Sequence, residues 1–341
     1  MLDDIKKIQK LDKSDMASFI LQMPEQIEES LAKIEKIEIP TEWSKIQNIC
    51  LVGMGGSAMA ESLIANLPHS ERKIPISVVR GYDVPAWVNQ DSLIVIVSHS
   101  GNTQETLSAF NKALKLTKNI FIITTGGKIE KEAENNIILK YETKAVPRAS
   151  LGYQFGAIFG LLTKLKIIDY NLQPAIELLK KINTDYEPKV ETENNMAKKL
   201  AYSCLDRLPI IVGSGILQSV AWRWKTQFNE NSKNIAYTEF LPEAMHNAIE
   251  GMNLPKNAQD NLIYMLLKNP FTPKELVLQF KKFETILEDK KIRYEIVEPL
   301  GDDIWSQKLS ALILGDWVSY YLAILNGIDP TPVDTIERSK K

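Results

Sequence analysis

Short apolar runs alternate along the chain with segments in which apolar residues recur at helical spacing. This alternation predicts strands joined by helices, which is typical of a mainly parallel sheet with helices on both faces. The predicted strands form two sets: 48–53, 75–80, 92–98, 119–125 and 136–141, then 208–213, 261–267 and 293–298. The predicted fold class is therefore α/β, with two doubly wound sheets.

Two sets of strands in 341 residues indicate two domains, because one domain typically spans about 100–200 residues. We predict a first domain at 1–150 and a second at 151–341. The second would include the mostly helical stretch 151–205 and a long apolar helix at 304–325. The tail DPTPVDTIERSKK is charged and interrupted by proline, which predicts irregular structure.

The two domains resemble copies of one plan. Each begins with an apolar strand that ends in a glycine-containing turn, GMGGS in the first and GSG in the second. Only the first domain continues with a polar loop, SHSGNT, after its third strand. A polar binding loop is therefore predicted in the first copy alone.

The composition excludes several classes of protein. A formal net charge of −2 gives no overall attraction to nucleic acid or to an anionic membrane. The two cysteines and three histidines lack the spacing of a metal site, and the first residues lack the apolar core of a signal peptide. We expect a metal-free cytoplasmic protein that binds neither nucleic acid nor membrane.

The first glycine-rich turn, GMGGSA, follows a strand and opens a helix. It fits the GxGxxA pattern of dinucleotide sites, but the next strand ends in Arg80 rather than in an acidic residue that could bind ribose. Gly55, Gly56 and Ser57 could instead approach a phosphate of any kind. A tight turn without a ligand is the alternative.

The loop SHSGNT carries three hydroxyl groups where a helix start leaves backbone amides unpaired. Ser98, Ser100 and Thr103 can each donate to one compact phosphate. Thr103 could alone serve as an N-cap, but a cap needs one hydroxyl. His99 should point away from Ser98 and Ser100 by strand alternation, which predicts a structural role.

Three charged residues stand in places that suggest chemistry. Arg148 immediately precedes a helix start, which disfavours a cation unless an anion is bound; the alternative is a solvated arginine. Glu230 ends an apolar helical stripe and is a candidate base, with a solvated carboxylate as the alternative. Lys308 falls on the apolar stripe of the last long helix, where it either extends to solvent or meets an anion.

His246 lies in FLPEAMHNAIEG, which predicts one short helix from Pro242 to Gly251. Glu243 and Glu250 would share its face and favour the protonated imidazole. A lone helical histidine is more often structural than catalytic, so its role depends on nearby chemistry.

The motifs GMGGS, SHSGNT, VPRASLG, FNENSKN and PEAMHN, in this order, resemble those of the bifunctional phosphoglucose/phosphomannose isomerases. The resemblance extends from about Cys50 to the DPTPV tail. It implies two sugar isomerase (SIS) domains with flavodoxin-like sheets. The family commonly has tyrosine at the position of His99, so this chain departs from the pattern there.

The resemblance also implies a reaction and a set of roles. Glucose 6-phosphate and mannose 6-phosphate would be converted reversibly to fructose 6-phosphate, without metal or organic cofactor. Gly55, Gly56 and Ser57 would lie at the sugar, and Ser98, Ser100 and Thr103 would hold its phosphate. Arg148 would stabilise the enediolate and Glu230 would move the proton. His246, from the neighbouring subunit of a homodimer, would assist ring opening. Lys308 would either assist ring opening as well or contact a sugar hydroxyl.

Two other functions remain compatible with parts of the pattern. A non-catalytic sugar-phosphate sensor would need the phosphate loop, but not Glu230, His246 and Lys308. A nicotinamide dehydrogenase is indicated by GxGxxA alone.

Overall fold

The computed structural model describes residues 1–133, 135–255 and 257–340. The chain divides into two compact units. The first unit is Gln22–Asn171, and the second unit combines Met1–Leu21 with Leu172–Lys341.

The helices and strands are named in chain order. The strands are β1 (Asn48–Gly53), β2 (Ile76–Val79), β3 (Ser92–Ser98), β4 (Ile120–Thr124), β5 (Ile137–Lys140), β6 (Leu208–Ser214), β7 (Tyr237–Leu241), β8 (Leu262–Leu267) and β9 (Arg293–Val297). The helices are α1 (Ile5–Leu11), α2 (Met16–Leu21), α3 (Met23–Lys36), α4 (Ser57–Ala65), α5 (Gln104–Ala113), α6 (Gly127–Glu132), α7 (Leu151–Lys164), α8 (Gln173–Tyr186), α9 (Met196–Cys204), α10 (Gln218–Gln227), α11 (Ala248–Gly251), α12 (Lys274–Asp289), α13 (Ile304–Leu325) and α14 (Asp334–Ser339).

The first unit contains a five-stranded parallel sheet in the order β2-β1-β3-β4-β5. Every residue of β3 is buried, as expected for a central strand covered by helices on both faces. From β1 the chain adds β2 on one side and then β3 on the other, so the strand order reverses between β1 and β3. Doubly wound proteins bind ligands at such a reversal.

The second unit repeats this plan with a parallel sheet in the order β7-β6-β8-β9. Its core includes α13, which is buried along its whole length beyond Ile304. Arg223 of α10 forms a buried ion pair with Asp316 of α13, with 2.8 Å between Nη2 and Oδ2. By length and composition α13 could cross a membrane, but its apolar window is entirely buried within the protein, as in the core helix of a soluble protein.

The compact units differ from the predicted division at residue 150. Helix α7 belongs with the first sheet because its glycines allow α3 to pack closely: a Cβ on Gly156 would lie 2.8 Å from the Ile27 carbonyl oxygen. The first 21 residues belong with the second sheet, where Lys198 donates to Asp3 at 3.0 Å.

The predicted α/β class is confirmed, and each predicted strand corresponds to a strand in the structure. One strand was missed, and two local predictions were wrong in part. The edge strand β7 was missed because only Leu241 of its five residues is buried. The tail is irregular at 329–333, as expected, but then forms α14. The segment 242–251 forms the 3₁₀ turn Glu243–His246 and the short helix α11 instead of one helix, because Asn247 has φ −150° and ψ −56°.

Helix α4 buries an acidic side chain against the first sheet. Glu61 is fully buried, and its carboxylate oxygens have no hydrogen-bond partner among the described residues. Gly53 leaves room for it, since a Cβ there would lie 2.5 Å from Oε1. Burial raises the pKa of Glu61 well above its ordinary value, and the positive charge of Arg80 only partly opposes this.

We expect Glu61→Gln to raise thermal stability at neutral pH and to leave it unchanged near pH 4. In the unfolded chain this carboxyl ionises above about pH 4.3, whereas in the folded chain it stays protonated up to its raised pKa. Between the unfolded and the folded pKa, the free energy of unfolding of the wild type therefore falls by about 1.4 kcal/mol per pH unit. Glutamine cannot ionise and removes this slope. Melting temperatures measured from pH 4 to 8 test the prediction, with the exposed Glu35→Gln as control. Parallel pH curves for wild type and Glu61→Gln would contradict it.

Candidate active site

Two loops of the first unit meet because β1 and β3 are neighbours. Their parallel register pairs Gly53 with Val97, so the residues after both strands emerge at the same edge of the sheet. The glycine-rich turn follows β1 and SHSGNT follows β3. This edge therefore collects the candidate phosphate-binding residues.

The glycine-rich turn lies against Arg148. Gly55 has φ +54°, a conformation that favours glycine. A Cβ on Gly56 would lie 3.1 Å from both Cα and N of Arg148, so the two backbones are in close contact. Arg148 is only 2% exposed, which excludes the alternative of a solvated loop arginine.

The hydroxyl groups of SHSGNT are not consumed by helix capping. Thr103 occupies the N-cap position of α5, but its side chain makes no capping hydrogen bond. The Ser98 hydroxyl is buried and has no hydrogen-bond partner among the described residues. Ser100 is exposed, and its Oγ accepts from the Asn102 backbone N–H at 3.2 Å. Donors therefore remain for a bound ligand.

Gly101 fixes the path of this loop. Its φ is +64°, and a Cβ there would lie 1.7 Å from the Gly126 carbonyl oxygen. Because a side chain cannot fit, the loop after β3 packs directly on the loop after β4. The contact holds Ser100 and Thr103 on a backbone that larger residues would displace.

His99 points into the protein. Its Nδ1 lies 3.0 Å from the Tyr141 hydroxyl, and burial lowers the pKa of the imidazole, which favours its neutral form. The backbone N–H of His99 donates to Ser57 Oγ at 3.3 Å. These contacts agree with the structural role predicted from strand alternation.

In the second unit, Glu230 lies in a single π-helical turn, Phe228–Ser232, that extends α10. Such turns are rare and frequently occur at functional sites. Asn231 anchors the turn by donating to Ser319 Oγ of α13 at 3.0 Å. Glu230 is half-buried, so its carboxylate stands on a fixed but accessible support.

Lys233 fastens the end of this turn. It has φ +58°, and its ammonium donates to the carbonyl oxygens of Glu230 and Asn231 at 2.8 and 3.1 Å. The same ammonium reaches Asp329 and Pro330, at 3.2 and 3.1 Å, in the DPTPV segment. No local pattern in the sequence indicates the π-turn, since the contribution of Lys233 depends on this remote contact.

His246 is exposed at the end of the short turn Glu243–His246, which follows the edge strand β7. The expected carboxylate pair does not form around it on one helix face. The chain breaks direction at Asn247, whose side-chain amide donates to Glu243 Oε1 at 2.9 Å.

Lys308 is completely buried in α13, which excludes the alternative of a side chain extended to solvent. Its Nζ lies 5.6 Å from the centroid of the Trp305 ring. Burial lowers its pKa to about 7, so this lysine can gain or lose a proton near neutral pH.

Helix α10 runs alongside α13, since Trp224 donates to the Ala311 carbonyl at 2.7 Å and Asn231 contacts Ser319.

Across the part of the chain that the structure describes, no group of three or more His, Cys, Asp or Glu side chains is placed to hold a metal ion.

Comparison with known proteins assigns the chain to a family. Residues 193–341 match the family model described as the bacterial phospho-glucose isomerase C-terminal SIS domain. A solved structure of a glucose-6-phosphate isomerase like protein from Thermus thermophilus superposes with a TM-score of 0.66, covering 97% of this chain and 98% of that one. At 19% identity this likeness shows the fold alone.

Two curated relatives carry the same description, bifunctional phosphoglucose/phosphomannose isomerase. The protein from Aquifex aeolicus is 32% identical, over 89% of this chain and 92% of its own length. The protein from Caldicellulosiruptor bescii is 33% identical over 328 residues, which cover 94% of this chain and 97% of the relative. The predicted resemblance is confirmed, and the chain belongs to the bifunctional phosphoglucose/phosphomannose isomerase family.

Proposed function

We propose that this protein interconverts glucose 6-phosphate and mannose 6-phosphate with fructose 6-phosphate by proton transfer through an enediolate. The observation that carries the proposal is Glu230 on its anchored π-turn. A sugar-phosphate sensor needs no such carboxylate, whereas proton transfer between adjacent carbons needs a base held in a defined position. Membership of the family supports the same reaction.

The first unit supplies the anion-binding groups. Ser98, Ser100 and Thr103 hold the 6-phosphate through hydroxyl hydrogen bonds. Gly55 and Gly56 let the backbone approach the sugar, and Arg148 stabilises the negative oxygen of the enediolate. The unused hydroxyls of Ser98 and Thr103 support this assignment.

The chemistry needs a base and a ring-opening group. A proton beside a carbonyl is weakly acidic, so Glu230 removes it only because the developing enediolate is stabilised at the same time. His246 opens the closed sugar ring by exchanging a proton near neutral pH. Lys308 contacts a sugar hydroxyl. The reaction transfers a proton within one molecule and uses neither metal nor organic cofactor in this proposal.

We propose a homodimer in which His246 acts on the substrate of the neighbouring subunit. His246 is exposed beside an edge strand, and the preceding Ile235 and Tyr237 are 63% and 56% exposed. An exposed strand edge with apolar neighbours is suited to a second copy of the chain. We also place the protein in the cytoplasm, since Cys50 and Cys204 are both free and buried.

We expect Glu230→Gln to lower kcat by roughly 10²- to 10⁴-fold with little change in KM, because glutamine cannot accept the proton. A coupled assay for fructose 6-phosphate, started from each aldose phosphate, measures this. Glu193→Gln, an exposed change in the same unit, is the control. Near-normal turnover in Glu230→Gln would remove the base assignment. Binding without turnover in the wild type would favour the sensor.

For His246→Ala we expect a loss of about 10²-fold or more on ring-closed substrate, and a much smaller loss on an analogue that cannot close its ring. Mixed dimers test whether the site is shared. Combining Glu230→Gln with His246→Ala subunits should restore about a quarter of wild-type activity, because half the dimers carry one intact pair. Equal losses on both substrates would contradict the ring-opening role, and absence of recovery would contradict the shared site.

For Lys308 we expect an ionisation near pH 7 in the kcat/KM profile of the wild type, with activity falling as the ammonium loses its proton. Lys308→Met should lose this ionisation while that of the substrate phosphate persists. The exposed Lys199→Met is the control. An unchanged profile in Lys308→Met would show that Lys308 does not contact the substrate.

A further inference from the structure

The Ser57 hydroxyl receives two N–H donors inside the first unit. The backbone N–H of His99 and the side-chain amide of Gln154 both donate to Oγ at 3.3 Å. A serine oxygen has two acceptor positions and one hydrogen to donate. Because both acceptor positions are occupied, only the O–H remains available.

Gln154 is itself held on its other side. It lies on α7, is fully buried, and its Nε2 also donates to the Tyr141 hydroxyl at 3.0 Å. Its neighbours on the helix, in LGYQFGAIFGLL, are mostly apolar or glycine. A lone glutamine in such a helix was the sequence signal for this contact, and it was missed.

The network continues beyond Gln154. Tyr141 accepts from Gln154, and its hydroxyl also lies 3.0 Å from His99 Nδ1, where the tautomer of the imidazole decides which atom donates. Burial lowers the pKa of His99, which favours the neutral ring. The Gln154 amide is thus oriented by Tyr141, and it in turn orients Ser57.

We infer that Gln154 is a positioning residue that makes Ser57 an obligatory hydrogen-bond donor to an acceptor oxygen of the bound sugar phosphate. The inference rests on the proposed function. An oxygen without hydrogens, such as a carbonyl or phosphate oxygen, can always accept from this donor. A freely rotating serine would also accept from sugar hydroxyls, and it would lose orientational freedom on binding. Fixing the hydroxyl in advance removes that cost.

Two variants of Gln154 are expected to differ in the pH dependence of their activity. Gln154→Leu removes the amide and should lower kcat/KM about tenfold, the effect of one lost hydrogen bond in a dry site, at every pH. In Gln154→Glu the carboxylate only accepts, so it attracts the Ser57 hydrogen away from the substrate. When protonated, the same carboxyl can again donate to Ser57.

The ratio of kcat/KM for Gln154→Glu to that of wild type should therefore rise as pH falls from 8 to 6, because burial raises the pKa of the introduced carboxyl. The other titratable groups at the network are His99, Tyr141 and Tyr153, which stacks on Tyr141. Burial raises the pKa of both tyrosines, so they stay neutral in this range, and it lowers the pKa of His99, which favours the neutral imidazole. Arg148, whose backbone contacts Gly56, keeps its charge throughout.

Thr163→Val is the matched control, since it removes another partly buried hydroxyl from α7 without changing its shape. Thermal melts establish that each variant is folded, and Tyr141→Phe replaces Gln154→Leu if the latter does not fold, with an expected loss of a few-fold. Wild-type kcat/KM in Gln154→Leu, or a ratio for Gln154→Glu that does not change with pH, would overturn the inference.

Binding separates this inference from the proposed function. Calorimetry with fructose 6-phosphate should show about tenfold weaker binding to Gln154→Leu than to wild type. Wild type that binds in this Gln154-dependent manner but does not turn over would overturn only the proposed isomerase activity. Turnover and binding that are both independent of Gln154 would overturn only the positioning role.

Discussion

The parallel pairing of β1 with β3 is the contact on which the site in the first unit depends. It joins the two central strands of the sheet at the point where strand order reverses, and it brings two polar loops to one edge. Helices on both faces bury these strands, so the register is fixed by the core rather than by the loops. Loop residues that are poor for stability are therefore tolerated: Gly101 in a left-handed conformation and Ser98 with an unpartnered hydroxyl.

The second unit has the same order of strands but carries different polar groups. Its sheet has the order of the first, and β6 and β8 occupy the places of β1 and β3. After β8, however, Lys268 pairs with Glu284 at 2.8 Å, and the chain continues through prolines instead of hydroxyl residues. The functional candidate here is Glu230, which stands on the extension of α10. The two units thus share the arrangement of their sheets but differ in the elements that carry polar groups.

Most strands of the two sheets could be predicted from the sequence, because buried parallel strands are continuous apolar runs, as in SLIVIVS. It did not predict β7, whose residues are mostly half-exposed, or α14, which has no buried residue in the structure. It identified Arg148 and Glu230 through motifs, but not their surroundings. The π-turn depends on Lys233 reaching carbonyls nearly a hundred residues later, and local patterns contain no information on such contacts.

Three hydroxyl groups of the first unit keep a hydrogen that they can donate to a ligand. Ser57 has both acceptor positions filled, the Ser98 hydroxyl makes no hydrogen bond among the described residues, and the Thr103 side chain does not cap its helix. An unmade hydrogen bond in a buried place costs about 1–3 kcal/mol of folding stability. A ligand rich in acceptor oxygens recovers that energy on binding, because the donors are already oriented and desolvated. An anionic phosphosugar is such a ligand. In the proposed function, the hydroxyl groups that the folded protein leaves without partners therefore bind the phosphate end of the substrate.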